Sequence, residues 1–135
     1  MKYLIPVLFL AIIIGCTTTK KTTNHTFKDS KIQNDTIRIA NDSLEYEIII
    51  IEPGFSGWLA TQRPRGYYSQ TYLEQRNMIF VTNYNIRARN PSQYSPDLYP
   101  MQINYEFDID YGYEVNYLLY HYFIYFQQKY RQRLR

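Results

Sequence analysis

Two arginines in a loop rich in aromatic side chains are the residues best suited to ligand binding. Arg63 and Arg65 lie close together, and Trp58 precedes them in the same stretch. Guanidinium groups pair well with carboxylates and phosphates, so an anionic glycan or lipid headgroup could bind here. The alternative is internal ion pairing, because acidic and basic residues balance in this part of the chain. Four glutamates are the candidate partners: Glu45, Glu47, Glu52 and Glu74.

A stripe of aromatic and apolar residues on the predicted C-terminal helix is the candidate interaction surface. The stripe consists of Tyr113, Tyr117, Tyr120 and Ile124. Tyrosine is favoured at protein interfaces because its ring contributes a large contact area at little cost in entropy. The stripe predicts contact with a protein partner or with a second copy of the chain. The alternative is that residues 54–68 or the following proline-containing loop cover it.

The titratable residues give no catalytic or metal-binding signature. Glu106, Asp108 and Asp110 share one face of a predicted strand and could converge on calcium. No glycine-rich calcium loop accompanies them, which favours a solvated face with Asp110 capping the next helix. A catalytic or metal-binding histidine needs a carboxylate, nucleophile or second ligand nearby, whereas His121 has Tyr117 and Tyr125 one turn away on either side. We therefore expect no enzymatic activity, no metal and no cofactor.

The elements that position these residues follow from hydrophobic periodicity. Strands are predicted at residues 36–39, 44–52 and 103–109, and helices at about 69–90 and 111–133. Residues 48–51 are four isoleucines, apolar on both faces, which predicts a strand in the middle of a sheet or between two layers. The order predicts a small two-layer α+β domain, with about three strands packed on two helices.

The two helices have distinct patterns. In the first, one face is predicted to be buried: Leu73, Asn77, Phe80, Val81, Tyr84 and Ala88. The C-terminal helix has a main apolar stripe nearly opposite the tyrosine stripe: Val115, Leu119, Tyr122, Phe126 and Tyr130. A helix with two apolar faces must pack against two neighbours.

The N-terminal residues predict export and a lipid anchor. Residues 3–15 carry no charge and are too few to cross a bilayer as a mature helix, so residues 1–15 are predicted to be a cleaved signal peptide. The closing tetrad, Ile13-Ile14-Gly15-Cys16, is similar to the lipobox of bacterial lipoproteins. In that family the cysteine becomes the N-terminus and carries acyl chains. The resemblance implies that Cys16, the chain's only cysteine, binds the lipid bilayer.

Residues 16–35 are predicted to be the lipidated cysteine and a polar tether, followed by a single domain at 36–135. Thr17 resembles the residue after the cysteine in lipoproteins sent to the outer membrane, and the lack of an acidic run favours the periplasmic face. From Thr36 onward ten basic residues balance ten acidic ones. Nucleic-acid binding needs a basic surface, so we expect none.

Three further stretches carry a second resemblance. They are Glu45-Tyr46-Glu47-Ile48-Ile49, Glu52-Pro53-Gly54-Phe55 with Trp58-Leu59, and Asp110-Tyr111-Gly112 leading into Glu114-Val115-Asn116-Tyr117. They resemble a family of small bacterial lipoproteins recorded as a domain of unknown function. The resemblance implies an anchored envelope protein and supplies no active-site residues. We therefore expect a non-catalytic interaction module, or alternatively a binder of an anionic envelope ligand through Arg63, Arg65 and Trp58.

Overall fold

A computed structural model describes residues 36–135. The predicted signal peptide at 1–15, Cys16 and the tether at 16–35 lie outside the described residues. The elements are β1 (Thr36–Asn41), β2 (Tyr46–Ile51), α1 (Phe55–Leu59), α2 (Gln70–Ala88) and α3 (Tyr113–Lys129). The predicted α+β class is confirmed, with two strands, three α-helices and a short 3-10 helix at Asp42–Leu44 in the described part of the chain.

The strands β1 and β2 form an antiparallel hairpin. Thr36 lies opposite Ile51, and Asn41 lies opposite Tyr46. Asn41 fixes the turn, because its side-chain oxygen accepts a hydrogen bond from the amide of Ser43 at 3.0 Å. On the inner face of β1, Ile37 and Ile39 are buried in the core. The alternation predicted for this strand is therefore confirmed.

The expectation that residues 48–51 lie inside a sheet or between two layers is wrong. Within the described residues β2 pairs only with β1. The outer face of β2 is open to solvent, with Ile49 61% and Ile51 75% exposed. Apolar residues on both faces of a strand usually indicate cover on both sides, but no element of residues 36–135 covers the outer face.

The strand predicted at 103–109 does not form. The side-chain amide of Asn85 on α2 binds both backbone groups of Ile103: Nδ2 donates to the carbonyl at 2.8 Å and Oδ1 accepts from the amide at 2.8 Å. The hydroxyl of Tyr46 donates to the carbonyl of Asn104 at 2.7 Å. These side chains satisfy backbone groups that a strand ladder would otherwise use, and the segment runs beside β2 without backbone pairing.

Burial in this segment follows the predicted alternation only in part. Ile103 and Tyr105 are buried, as expected for one apolar strand face. Phe107 and Ile109, which belong to the same predicted face, are exposed. A turn begins at Phe107 and carries the chain away from the core. The segment therefore contributes two residues to the core rather than a third strand to the sheet.

The helix α2 agrees with its prediction. Ser69 caps it, with the hydroxyl accepting from the amide of Tyr72 at 3.2 Å, and the helix ends at Ala88, shortly before Pro91. Most of the predicted face is buried: Leu73, Asn77, Phe80, Val81 and Tyr84. The short helix α1 was not predicted, and its first residue, Phe55, is buried in the core.

The helix α3 lies at the centre of the fold. It contacts α2, β1 and α1, so its two apolar faces do pack against different neighbours. Buried residues occur on both predicted stripes, including Val115, Leu119, Tyr117 and Tyr120. Among residues 36–135, no helix is both long and apolar enough to cross a membrane.

Candidate functional site

A groove of about 490 Å³ follows the side of β2 that β1 leaves open. Its three sides are β2, the segment 97–104 and the side chains that α2 and α3 direct toward it. The residues from the helices and their ends are Tyr84, Tyr122, Phe126 and Tyr130. The volume lies within the range of sites that bind small ligands or peptide side chains.

The open edge of β2 offers unpaired backbone groups to this groove. In an antiparallel pair, alternate residues direct their N–H and C=O groups toward each edge of the strand. One edge of β2 is used by β1. No backbone hydrogen bond joins the other edge to any segment of residues 36–135. Such an edge is a template for an added strand.

An ion pair with a buried carboxylate lies at one end of the groove. Glu52, which follows β2, is 5% exposed. Its Oε1 accepts from Lys129 Nζ at 2.6 Å and from the Tyr130 hydroxyl at 3.1 Å. The hydrogen bond to Glu52 raises the pKa of Lys129 above its ordinary value. Burial, followed by the charge of Glu52, raises the pKa of Tyr130.

Two further tyrosines contribute protonated hydroxyls to the groove. Burial raises the pKa of Tyr84 to about 12, and the Tyr84 hydroxyl donates to the carbonyl of Leu98 at 3.4 Å. Burial also raises the pKa of Tyr122. Both phenols are therefore neutral at physiological pH, and they can take part in hydrogen bonds but not act as bases.

The charges that line the groove are acidic. Glu47, Glu52 and Asp97 are lining residues, and no lysine or arginine is among them within the described chain. Glu47 pairs with Arg38 on the outer face of the hairpin, while Lys129 compensates Glu52. Asp97 is exposed and forms no ion pair with another described residue. The groove therefore favours a neutral or basic ligand.

The predicted tyrosine interaction surface is covered, which corrects that expectation. Tyr117 and Tyr120 are buried, and Tyr113 and Ile124 are half-buried. The hydroxyl of Tyr117 donates to the carbonyl of Arg63 at 2.9 Å, and that of Tyr113 donates to the carbonyl of Tyr68 at 3.1 Å. Residues 54–68 therefore cover the stripe, which was the alternative left open by the sequence.

The predicted anion-binding residues are mostly engaged within the protein. Arg65 forms two hydrogen bonds to Glu114, at 2.7 and 2.5 Å, and these raise its pKa. This glutamate was not among the partners expected from the sequence. Arg63 stacks on the ring of Tyr67, 4.7 Å from its centroid, without a carboxylate partner among residues 36–135. The Trp58 indole donates to Gln128 at 3.1 Å.

His121 is a core residue. It is buried, and its Nδ1 lies 2.8 Å from the carbonyl of Tyr117. A carbonyl only accepts, so Nδ1 carries the proton. Burial lowers the pKa of His121, and the imidazole is therefore neutral at pH 7. Its ring packs 4.2 Å from that of Tyr117, which is a structural role.

The acidic residues at 106, 108 and 110 do not form a metal site in the structure. The Oδ1 atom of Asp110 accepts from the amide of Gly112 at 2.9 Å and from Gln70 at 2.7 Å. Asp110 thus orders the chain just before α3, close to its predicted capping role. No group of three or more potential metal-ligating side chains occurs in the described part of the chain.

Sequence reasoning missed the groove because it assigned residues 103–109 to a third strand. The pattern of apolar residues cannot reveal that Asn85 takes the backbone groups of Ile103. One signal was present in the sequence. The segment before Ile103 contains Pro96 and Pro100, and proline limits strand pairing, so a loop beside β2 was the better interpretation.

Comparisons with known proteins identify one family. The model of a family of unknown function, DUF6146, matches residues 3–135. This match confirms the resemblance to a family of unknown function. No curated protein and no solved structure shows a significant match.

Proposed function

The chain belongs to the DUF6146 family of unknown function, and we propose that it is a lipid-anchored envelope protein whose domain binds a protein partner without catalysis. The anchor is the acylated Cys16, exposed as the new N-terminus after removal of residues 1–15. The support for the anchor is the tetrad that ends at Cys16 and its similarity to the lipobox. Thr17 favours the outer membrane, on its periplasmic face.

The proposed interaction with a partner rests on the open edge and the exposed outer face of β2. Ile49 and Ile51 are the most exposed isoleucines of the described chain, and they lie beside unpaired backbone groups and a groove. An apolar surface next to a free strand edge is typical of a site that another chain covers. We therefore assign the interaction with a partner to this surface of β2, instead of to the tyrosine stripe that was predicted for it.

The chemistry of the groove supports a non-catalytic role. Glu52 is the buried carboxylate of the groove, and it accepts hydrogen bonds from Lys129 and Tyr130. A general base must be free to take a proton at its operating pH, and a carboxylate paired with an ammonium group is poorly suited to this. The lining residues include no serine, threonine, cysteine or histidine among those described.

A second candidate function is binding of an anionic envelope ligand through Arg63, Arg65 and Trp58. One observation favours it: the guanidinium of Arg63 is exposed and has no carboxylate partner within residues 36–135. Binding through this cation should weaken as salt is added. Arg65 is bound to Glu114, so it contributes less than the sequence suggested.

The anchor is tested by metabolic labelling with a clickable palmitate analogue and by membrane fractionation. The unmodified chain should be labelled and should sediment with membranes. Cys16→Ser should lose the label and leave the membrane fraction, because the chain has no other cysteine. Absence of label on the unmodified chain, or label that persists in Cys16→Ser, would contradict the anchor.

The interaction role is tested by crosslinking in intact cells, followed by affinity capture and mass spectrometry. The matched variants are Ile49→Lys on β2 and Ile86→Lys on the exposed side of α2, 43% exposed and outside the groove. A specific crosslinked partner should be recovered with the unmodified chain and with Ile86→Lys, and lost with Ile49→Lys. Recovery of no partner by a monomeric chain would contradict the interaction role.

A further inference from the structure

We infer that the open edge of β2 binds an extended, apolar and basic peptide segment of the partner as a third strand of the sheet. The inference rests on the proposed interaction function and names the binding mode and the chemistry of the partner. Strand addition uses main-chain hydrogen bonds for affinity and alternate side chains for specificity.

The first argument is the position of the groove. It follows residues 47–52 along the edge that β1 does not use, so its long wall is a row of strand backbone. The opposite wall, 97–104, makes no backbone hydrogen bond to β2. The side chain of Asn85 binds both backbone groups of Ile103, so this residue of the segment does not pair with β2. The space next to the edge is therefore kept open by contacts within the fold.

The second argument is the side-chain pattern that an added strand would meet. Ile49 and Ile51 lie on the outer face of β2, and Ile48 and Ile50 lie on the inner face, which packs against the core. Side chains of adjacent strands on the same face contact each other. Alternate residues of the segment would cover Ile49 and Ile51, so we expect β-branched or aromatic residues there with period two.

The third argument is the charge of the groove, which distinguishes a basic peptide from a second copy of the chain and from a lipid surface as the ligand of the β2 edge. Of the three carboxylates that line the groove, Glu47 and Glu52 are paired with cations outside the lining, whereas Asp97 has no ion-pair partner among residues 36–135. The uncompensated charge of the lining is therefore negative. A second copy pairing through the same edge would add a second uncompensated Asp97 to the same surface, and like charges repel. An anionic lipid surface is disfavoured for the same reason. A peptide with lysine or arginine is complementary.

The test selects peptides of about ten residues, a common strand length, from a random phage-displayed library on the detergent-solubilised full chain. The selected peptides should be depleted in proline and rich in β-branched residues at alternate positions. They should contain more lysine and arginine than aspartate and glutamate. Selection of no peptide above background, or of acidic peptides, would overturn the inference.

A selected peptide is then synthesised with one backbone amide methylated at a time. Strand addition predicts an affinity loss of about tenfold or more at alternate residues, where the amide donates to β2, and little change between them. Bound peptide should also slow hydrogen exchange of the amides of β2. An affinity loss without a period of two, or no added protection of β2, would overturn the inference.

Matched variants keep the result interpretable. Ile49→Lys should weaken binding of the same peptide about tenfold or more, because it adds a like charge and removes apolar contact, whereas Ile86→Lys should stay within about twofold. Both variants should keep the melting temperature of the unmodified chain within a few degrees. Equal effects of the two variants would overturn the inference.

Three other outcomes would replace the inference. A dimer in analytical ultracentrifugation that Ile49→Lys disrupts would assign the edge to a second copy. Flotation with phosphatidylethanolamine and phosphatidylglycerol vesicles that Ile49→Lys abolishes would assign the surface to lipid. A partner crosslinked in cells through another surface, with no peptide binding at β2, would overturn strand addition while leaving the proposed function intact.

Discussion

Lys129 Nζ lies 2.6 Å from Oε1 of Glu52 and connects the end of α3 to the residue that follows β2. The carboxylate is almost fully buried, whereas about a third of the lysine side chain is exposed, at 32%. Tyr130 gives Glu52 a second donor. This ion pair holds β2 against α3 at one end of the groove, so it positions the candidate site as well as contributing to stability.

We expect Lys129→Met to lower the free energy of unfolding by about 2 kcal/mol, because it leaves a buried carboxylate without its counter-ion. Urea unfolding of the full chain measures this change. The control is Arg38→Met, which breaks the exposed pairs with Asp42 and Glu47 and should cost less than about 1 kcal/mol. Equal losses in the two variants would contradict a special role for the Glu52 pair.

Stability should fall at alkaline pH because of the buried tyrosines. Burial raises the pKa of Tyr84 to about 12 and, together with nearby Glu74, that of Tyr105 to about 12, from an ordinary value of 10.0. The unfolded chain then releases these protons first as the pH rises. The stabilisation is complete below pH 10 and is lost as the pH rises from there toward the folded-state values.

The check on this pH dependence is Tyr84→Phe, followed by urea unfolding across the alkaline range. Removing one such phenol should reduce the slope of stability against pH by up to about 1.4 kcal/mol per unit above pH 10. At pH ~8 the free energy of unfolding should have the same slope against pH in the variant and in the unmodified chain, and this comparison is the internal control. An unchanged alkaline slope would refute the assignment.

A buried amide network joins α2, α3 and the segment after the groove. The Oδ1 atom of Asn116 accepts from the Tyr105 hydroxyl at 2.7 Å and from Asn77 at 3.1 Å, and its Nδ2 donates to the carbonyl of Gly112 at 2.9 Å. The Oδ1 atom of Asn77, by contrast, is buried without a partner in the described chain. The two asparagines are therefore not equivalent, although both are fully buried.

Asn116→Ala should lower the free energy of unfolding by about 3 kcal/mol, because it leaves the buried Tyr105 hydroxyl without its acceptor. It also removes the Oδ1 acceptor of Asn77 Nδ2, which keeps only the backbone carbonyl of residue 116. Asn77→Ala should cost less, since it also removes an oxygen that has no partner. Chemical denaturation of the two variants side by side measures the difference. A larger loss for Asn77→Ala would show that the network is not centred on Asn116.

Part of the fold was predictable because local signals and burial agreed. For α2, an apolar face at helical spacing indicated the helix, and Leu73 of that face is buried. The prediction of a strand at 103–109 was wrong because the alternation of apolar and polar residues indicates which face is buried. It does not indicate which groups form hydrogen bonds with the backbone. The side chain of Asn85 on α2 binds the backbone carbonyl and amide of Ile103, which in a strand would bind a neighbouring strand.

The candidate site was less predictable for the same reason. The tyrosine stripe was correctly identified as apolar, but periodicity cannot distinguish a surface covered by a partner from one covered by the chain itself. Here the carbonyls of Arg63 and Tyr68 accept from Tyr117 and Tyr113, so the cover is internal. The groove beside β2 exists because a predicted strand is absent. A site of that kind depends on tertiary contacts, and Pro96 and Pro100 were the one local signal for it.

The turn between Glu52 and α1 supplies a test with a matched control in the same short segment. Gly54 has a φ of +83°, and a Cβ there would lie 2.8 Å from the hydroxyl of Tyr125. That hydroxyl donates to the carbonyl of Pro53 at 2.6 Å, so it is not free to move away. Gly57 lies in α1, and a Cβ added there would have nothing within 4 Å.

Gly54→Ala should therefore lower the free energy of unfolding by about 1–3 kcal/mol, from backbone strain and the clash. Gly57→Ala should raise it by up to about 1 kcal/mol, because alanine favours a helix and reduces the entropy of the unfolded chain. In a Tyr125→Phe background the clash is removed while the strained φ remains, so Gly54→Ala should cost less there. Thermal and urea unfolding of the variants measure these changes, and a neutral Gly54→Ala would contradict the left-handed turn.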